Sequence, residues 1–163
     1  MNGPRLVVGI SELEVARAPA RLTAVALGSC VGVILHDPVA KVGGLAHVLL
    51  PSPGVGRPRP DTPGRFAPTA VAALIAGMSG LGAENGRLTA RLVGGASMFA
   101  QLQPPGSIQM GERNVHAARE ALQAHGIPLI GEAVGGEFGR SLDFDVNSGR
   151  VVITSYAFPK VEL

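Results

Sequence analysis

Apolar and polar positions along this chain fall into short stretches punctuated by glycine, proline and Asx residues. Such punctuation predicts strands joined by tight turns more than long helices. Leu6 to Ile10 and Leu22 to Leu27 read as strands, the second ending at Gly28-Ser29. Val31 to Leu35 and Val42 to Leu50 follow as a pair, with His36-Asp37-Pro38-Val39 as turn chemistry between them. Leu88 to Val93 and Ile127 to Ile130 are further strand-like runs. Leu142 to Val146 and Val151 to Ser155 bracket Asn147-Ser148-Gly149-Arg150 as a hairpin. Two segments carry helical spacing instead. In the first, Val71, Leu74, Ile75 and Met78 form one apolar face behind Pro68, and the segment stops around Gly80-Leu81-Gly82. The second runs from about Asn114, with Val115, Ala118 and Leu122 on one face, to His125-Gly126. Roughly seven or eight strands and two helices, with no repeat and no linker, predict one mixed α/β domain spanning residues 1–163.

The pattern also places candidate chemistry. If Leu35 faces Val42 in the first hairpin, paired residue numbers sum to 77 and Cys30 faces His47. Directly opposed residues share a face with Cβ atoms roughly 4.5–5.5 Å apart. A thiol and an imidazole that close share a proton, which is how a cysteine nucleophile is made. A bulge in either strand would shift this pairing. The Gly28-Ser29 break before Cys30 leaves backbone N–H groups near Ser29 to Val31 free to hold an oxyanion. A buried cysteine is more often a small hydrophobe, and His47 alone would read as an ordinary strand histidine, so the signal lies in their register.

Composition narrows the remaining choices. Of the 163 residues 46% are hydrophobic and 16% charged, enough for a real core. There is no Trp and one Tyr, so that core is built from Val, Leu, Ile and Ala. The net charge is +2 and the basic residues are scattered singly, which argues against nucleic-acid binding. A single cysteine forms no internal disulfide, which fits a reducing compartment. The start, Met1-Asn2-Gly3-Pro4-Arg5, leads into an apolar run too short for a signal peptide or membrane span, so a cytoplasmic protein without membrane insertion is expected. No heptads appear, which favours a monomer. His36 is expected in a turn, and His116 and His125 on or after an exposed helix. No two lie at metal-ligand spacing, and no CxxC or HExxH is present, so no metal site is expected.

Other segments have two readings. Pro51 to Arg65 carries five Pro and three Gly in fifteen residues and reads as a loop. It either covers the Cys30 face or is a plain connection. Gly94-Gly95 and Gly135 to Gly139 match no phosphate-binding pattern and read as bends where backbones come close. Asp143 and Asp145 alternate on one strand face and are expected to be solvated.

The stretch LGSCVGVILHDPVAKVGGLAHVLLP (Leu27 to Pro51) closely resembles the hallmark segment of the CheD family, the chemoreceptor glutamine deamidases of bacterial chemotaxis. The resemblance continues, in the family's order, through GGASMF (Gly94 to Phe99), GERNV (Gly111 to Val115) and GGEFGRS (Gly135 to Ser141). It implies a layered sandwich of two packed β-sheets with helices outside, similar to deamidating toxins of the cytotoxic necrotizing type. It implies a Cys–His–Thr site that converts receptor glutamines to glutamate, needs no cofactor, and takes Cys30 as nucleophile and His47 as base. The implied partners are methyl-accepting chemoreceptors, together with the CheC phosphatase with which family members associate.

The family's threonine lies six positions before the cysteine, where this chain has Ala24, while Thr23 sits one position earlier. In a regular strand that shift turns Thr23 to the opposite face. Three readings stay open: a bulge near Gly28 restores Thr23 to the site, another oxygen orients His47, or the enzyme is weakened. Pro68, where relatives often carry Asp, is a second departure that resets a helix start. The leading expectation is a protein-glutamine deamidase working through a Cys30 thioester. The alternatives are a non-catalytic adaptor that binds receptors or CheC, and a cysteine peptidase.

Overall fold

Two five-stranded sheets lie face to face, and both long helices cover the outer side of one of them. The computed structural model describes residues 3–53 and 62–163. The first sheet contains β1 (Arg5–Val7), β3 (Arg21–Leu27), β8 (Arg140–Asp145), β9 (Val151–Thr154) and β10 (Val161–Glu162), in that order. The second contains β2 (Leu13–Arg17), β5 (Val42–Val48), β4 (Val31–Asp37), β6 (Thr89–Gly94) and β7 (Leu129–Val134). Strands β1 and β3 are parallel, as are β6 and β7, and every other pair is antiparallel. Helices α1 (Ala67–Gly80) and α2 (Met110–Ala124) complete the mixed α/β sandwich.

The second sheet is buried on both faces, which is why β4 and β5 read as continuous apolar runs without alternation. Its helix-facing side sets Val31, Val33, Leu35, Ala46 and Val48 against Val71, Leu74, Met78, Val115, Ala118 and Leu122. Its other side sets Ile34, Leu45 and Val93 against Leu22, Leu27, Leu142, Phe144 and Ile153 of the first sheet. The first sheet has one solvent-facing side, so β8 alternates cleanly between buried and half-buried positions. Gly43 lets the sheets approach, because a Cβ there would lie 2.6 Å from the Phe144 ring.

Several elements depart from expectation. Strand β2, whose LEVAR sequence carries little apolar signal, pairs with β5. Strand β1 ends at Val7 instead of Ile10 because the chain turns through Ser11 at φ 68. Helix α2 starts at Met110, ahead of Asn114, and β7 covers Leu129–Val134, beyond the expected Ile127 to Ile130. The largest correction concerns the hairpin. Asp37 pairs with Val42 and Gly32 with His47, a register sum of 79 in place of 77. The cause is the Asp37 carboxylate, which accepts the N–H groups of Val39 and Ala40 and shortens the connection to residues 38–41. His36 is therefore buried inside β4, with Nε2 2.8 Å from the Val146 carbonyl, and not in a turn.

Candidate functional site

Side chains alternate along a strand, so a slip of two residues leaves each on its original face. In β4 the odd-numbered Val31, Val33 and Leu35 face the helices, while Ile34 and, just before the strand, Cys30 belong to the layer between the sheets. In β5 Ala46 and Val48 face the helices, while Leu45 and, beyond the strand, Leu49 face the intersheet layer. The same alternation puts His47 on the inner face with Cys30. Because His47 pairs with Gly32, Cys30 is its diagonal neighbour and not its direct partner. Diagonal positions are roughly 7–8 Å apart, somewhat less between Cβ atoms, and within reach of an aromatic side chain. The structure thus brings Cys30 and His47 to adjacent sites on one face and corrects their register.

His47 is held at one ring nitrogen and free at the other. Nδ1 lies 3.1 Å from the Val8 carbonyl, and a carbonyl only accepts, so Nδ1 carries the proton. Nε2 is then a bare lone pair, buried and without a hydrogen-bond partner among the described residues. The backbone around His47 is fixed as well: its N–H donates to the Glu12 carbonyl at 3.0 Å, and its carbonyl accepts from Ser11 at 2.9 Å. The turn from Val8 to Glu12 therefore orients the imidazole, a job that no side-chain motif announced.

Thr23 does not join them. Its neighbours Leu22 and Ala24 face the intersheet layer, and its own hydroxyl lies on the far side of the sheet. There it donates to Asp143 and accepts from Arg5 Nε at 3.2 Å. The β3–β8 register does shift between Ala24 and Leu27, with Ala26 at φ 57. That irregularity follows Thr23 and leaves its side chain outside. Ala24 holds the inward position. Asp143 is correspondingly engaged by Thr23 and Arg5, not merely solvated.

The turn carrying Cys30 is tightly tied. Gly94, at φ 111, approaches so closely that a Cβ there would lie 2.4 Å from the Cys30 carbonyl. Neither the Ser29 nor the Cys30 N–H is taken by a backbone carbonyl among the described residues. A groove bounded by Ser29, Met98, Phe99, Gln103 and Gln109 opens beside this turn. Residues 54–61, the middle of the Pro51 to Arg65 loop expected to cover or bypass the Cys30 face, lie outside the described residues.

Burial sets the charge state of the pair. It pushes the Cys30 thiol above its ordinary range, opposed in part by the residue's own N–H. It pushes the His47 imidazole down, opposed by the Val8 carbonyl and the Glu12 charge. Near neutral pH the resting pair is thiol and neutral imidazole. No cluster of three or more His, Cys, Asp or Glu suited to a metal occurs among the described residues. Among the described residues no helix is long and apolar enough to cross a membrane.

The family model described as CheD chemotactic sensory transduction matches residues 49–155, a span that begins just after His47. A protein of Moorella thermoacetica named probable chemoreceptor glutamine deamidase CheD is 42% identical over 153 residues, covering 93% of this chain and 91% of the relative. One of the same name from Symbiobacterium thermophilum is 40% identical over 165 residues, with all of both chains aligned. A Neisseria meningitidis crystal structure assigned to the DUF152 family aligns with a TM-score of 0.51 at 11% identity, over 83% of this chain and 65% of that one. That last likeness is one of fold.

Proposed function

Since the chain belongs to the CheD family, we propose that it hydrolyses glutamine side-chain amides of chemoreceptors through a thioester on Cys30. The relatives' names supply the substrate class. The observation that carries the mechanism is the buried Nε2 of His47, bare and on the same face as Cys30. In the first step Nε2 takes the thiol proton as sulfur attacks the carboxamide carbon, and the carbonyl π pair moves onto oxygen. The Cys30 and Ser29 N–H groups stabilise that oxyanion. Collapse breaks the C–N bond, and His47 returns the proton to departing ammonia. Water then loses a proton to Nε2 and cleaves the thioester, which restores the thiol and leaves glutamate.

On this reading Ala24 costs the enzyme little, because the Val8 carbonyl does what a hydroxyl at that position would do. It fixes the tautomer and faces the imidazolium that forms. Protein, receptor and water suffice, with no metal or cofactor. A receptor's cytoplasmic domain as substrate places the reaction in the cytoplasm, in a chain acting as one domain and a monomer. CheC is the further partner that the family suggests.

The test is mass spectrometry of a cognate receptor cytoplasmic domain incubated with wild type, Cys30→Ala or His47→Gln. A gain of one glutamate per converted glutamine with wild type, and none with Cys30→Ala, is the expected result. A folded wild type that binds the receptor and converts nothing makes the protein an adaptor. Backbone cleavage makes it a peptidase.

A further inference from the structure

Each carbonyl of the turn that carries the nucleophile is held from behind. The Gly28 and Cys30 carbonyls accept from the Ala96 and Gly95 N–H groups, both at 2.8 Å. The Ser29 carbonyl accepts from Asn114 Nδ2 at 2.9 Å, the one bond of the three made by a side chain. Asn114 sits in α2 and is fully buried. Its second Nδ2 proton goes to the Leu49 carbonyl at 3.0 Å. Both neighbours are carbonyls, so the amide nitrogen must face them. Oδ1 is left buried and without a partner among the described residues.

Asparagine is a weak helix former, and its buried Oδ1 without a donor is penalised. Against that, its amide satisfies the Ser29 and Leu49 carbonyls, which a leucine of similar size would strand. Leucine would also leave the peptide plane between Ser29 and Cys30 unfixed. A trans peptide is planar, with its C=O and N–H pointing opposite ways. The Ser29 carbonyl and the Cys30 N–H belong to one such plane. Drawing the carbonyl toward α2 turns the Cys30 N–H the other way, away from the helix.

We propose that Asn114 is a positioning residue that locks the Ser29–Cys30 peptide, aims the Cys30 N–H at the oxyanion, and ties that peptide to Leu49 beside His47. The role rests on the deamidase reading above. As the S–C bond forms, the substrate oxygen gains the electron pair and accepts from that N–H. Asn114 touches neither substrate nor sulfur. A free peptide plane would rotate and lose the donor just when charge develops.

The experiment compares wild type with Asn114→Leu, Asn114→Ser and Asn114→Gln on a receptor cytoplasmic domain. It records kcat, KM, melting temperature and the rate of Cys30 alkylation by iodoacetamide, a displacement that passes through no oxyanion. Removal of an aligned oxyanion donor predicts that Asn114→Leu lowers kcat by about 100-fold. KM and alkylation should stay within about threefold of wild type. Asn114→Gln keeps the amide and should recover about tenfold of that loss. Asn114→Ser, smaller and with one donor, decides by the same measurements if the leucine variant does not fold. Folded variants with wild-type kcat overturn the role. So does a loss confined to KM, or one that lowers alkylation and kcat together. An inactive wild type strikes the deamidase reading and this role with it, whereas active wild type with equally active variants strikes this role alone.

Discussion

At the scale of single residues, the Cys30–His47 pair is set by burial more than by charge. A raised thiol and a lowered imidazole mean that the proton stays on sulfur until substrate arrives. The chain has one cysteine, so alkylation reads it cleanly. In the free protein at pH 7.5, iodoacetamide should react at least about tenfold more slowly than with an unstructured cysteine peptide. The rate should climb above pH 9 and become ordinary in denaturant. A fast thiolate titrating below pH 7 would contradict the neutral pair. Deamidation should follow the opposite group. In the proposed mechanism His47 acts when unprotonated, and its lowered pKa places the acid limb of kcat/KM below about pH 6.5, which a pH–rate profile reads directly. Thr23→Val should cost about 1 kcal/mol by denaturant titration, through lost bonds to Asp143 and Arg5, and leave deamidation within about threefold. A large activity loss there would return the threonine to the site.

Among the elements, the β4–β5 hairpin decides the site's geometry, and Asp37 decides the hairpin. Its side chain is fully buried and receives N–H groups from Val39, Ala40 and Glu84 as well as the Arg87 guanidinium. Removing it strands those donors. Asp37→Ala should cost on the order of 3 kcal/mol in chemical denaturation. It should also disturb the site, because turn and register are one choice. Hydrogen-exchange protection of β4 and β5 should fall together in that variant, and unchanged protection would detach the turn from the register. Periodicity revealed that a hairpin exists here. It did not reveal whether six residues or four would separate the paired strand ends, since the Asp37 carboxylate, held by Val39, Ala40 and the distant Arg87, selects the shorter connection.

At the scale of the whole molecule, the two cores share the second sheet, so neither persists without the other. Heating should give one cooperative transition with the same midpoint by near- and far-UV circular dichroism. Two separated transitions would split the single domain read from residues 1–163. Acid should destabilise the molecule through Asp37. Burial alone would push this carboxyl up, but Arg87 and the backbone N–H groups hold it well below the usual carboxylate range. Its folded pKa is thus below its unfolded one. The stability it contributes is complete above about pH 4 and lost as the pH falls from there toward its folded value. The denaturation midpoint should fall over that window in wild type and less steeply in Asp37→Ala.

The sequence by itself determined most of the strands, both helices, and the shared face of Cys30 and His47. These are matters of period and residue type. A period of two survives a slip of two, which explains why the partnership outlived an incorrect register. Tertiary structure alone decided the rest. The register shift of β3 falls after Ala24, so Thr23 keeps the outward face that its strand period gives it and no bulge turns it to the site. The oxygen that orients His47 is a backbone carbonyl of Val8, which every residue possesses and no motif can signal. Asn114 offered one visible clue, a weak helix former inside an otherwise regular helix. Its meaning depended on the two carbonyls that packing of α2 against the second sheet brings to its amide. Local pattern fixes which face a side chain occupies, and long-range pairing fixes what it meets there.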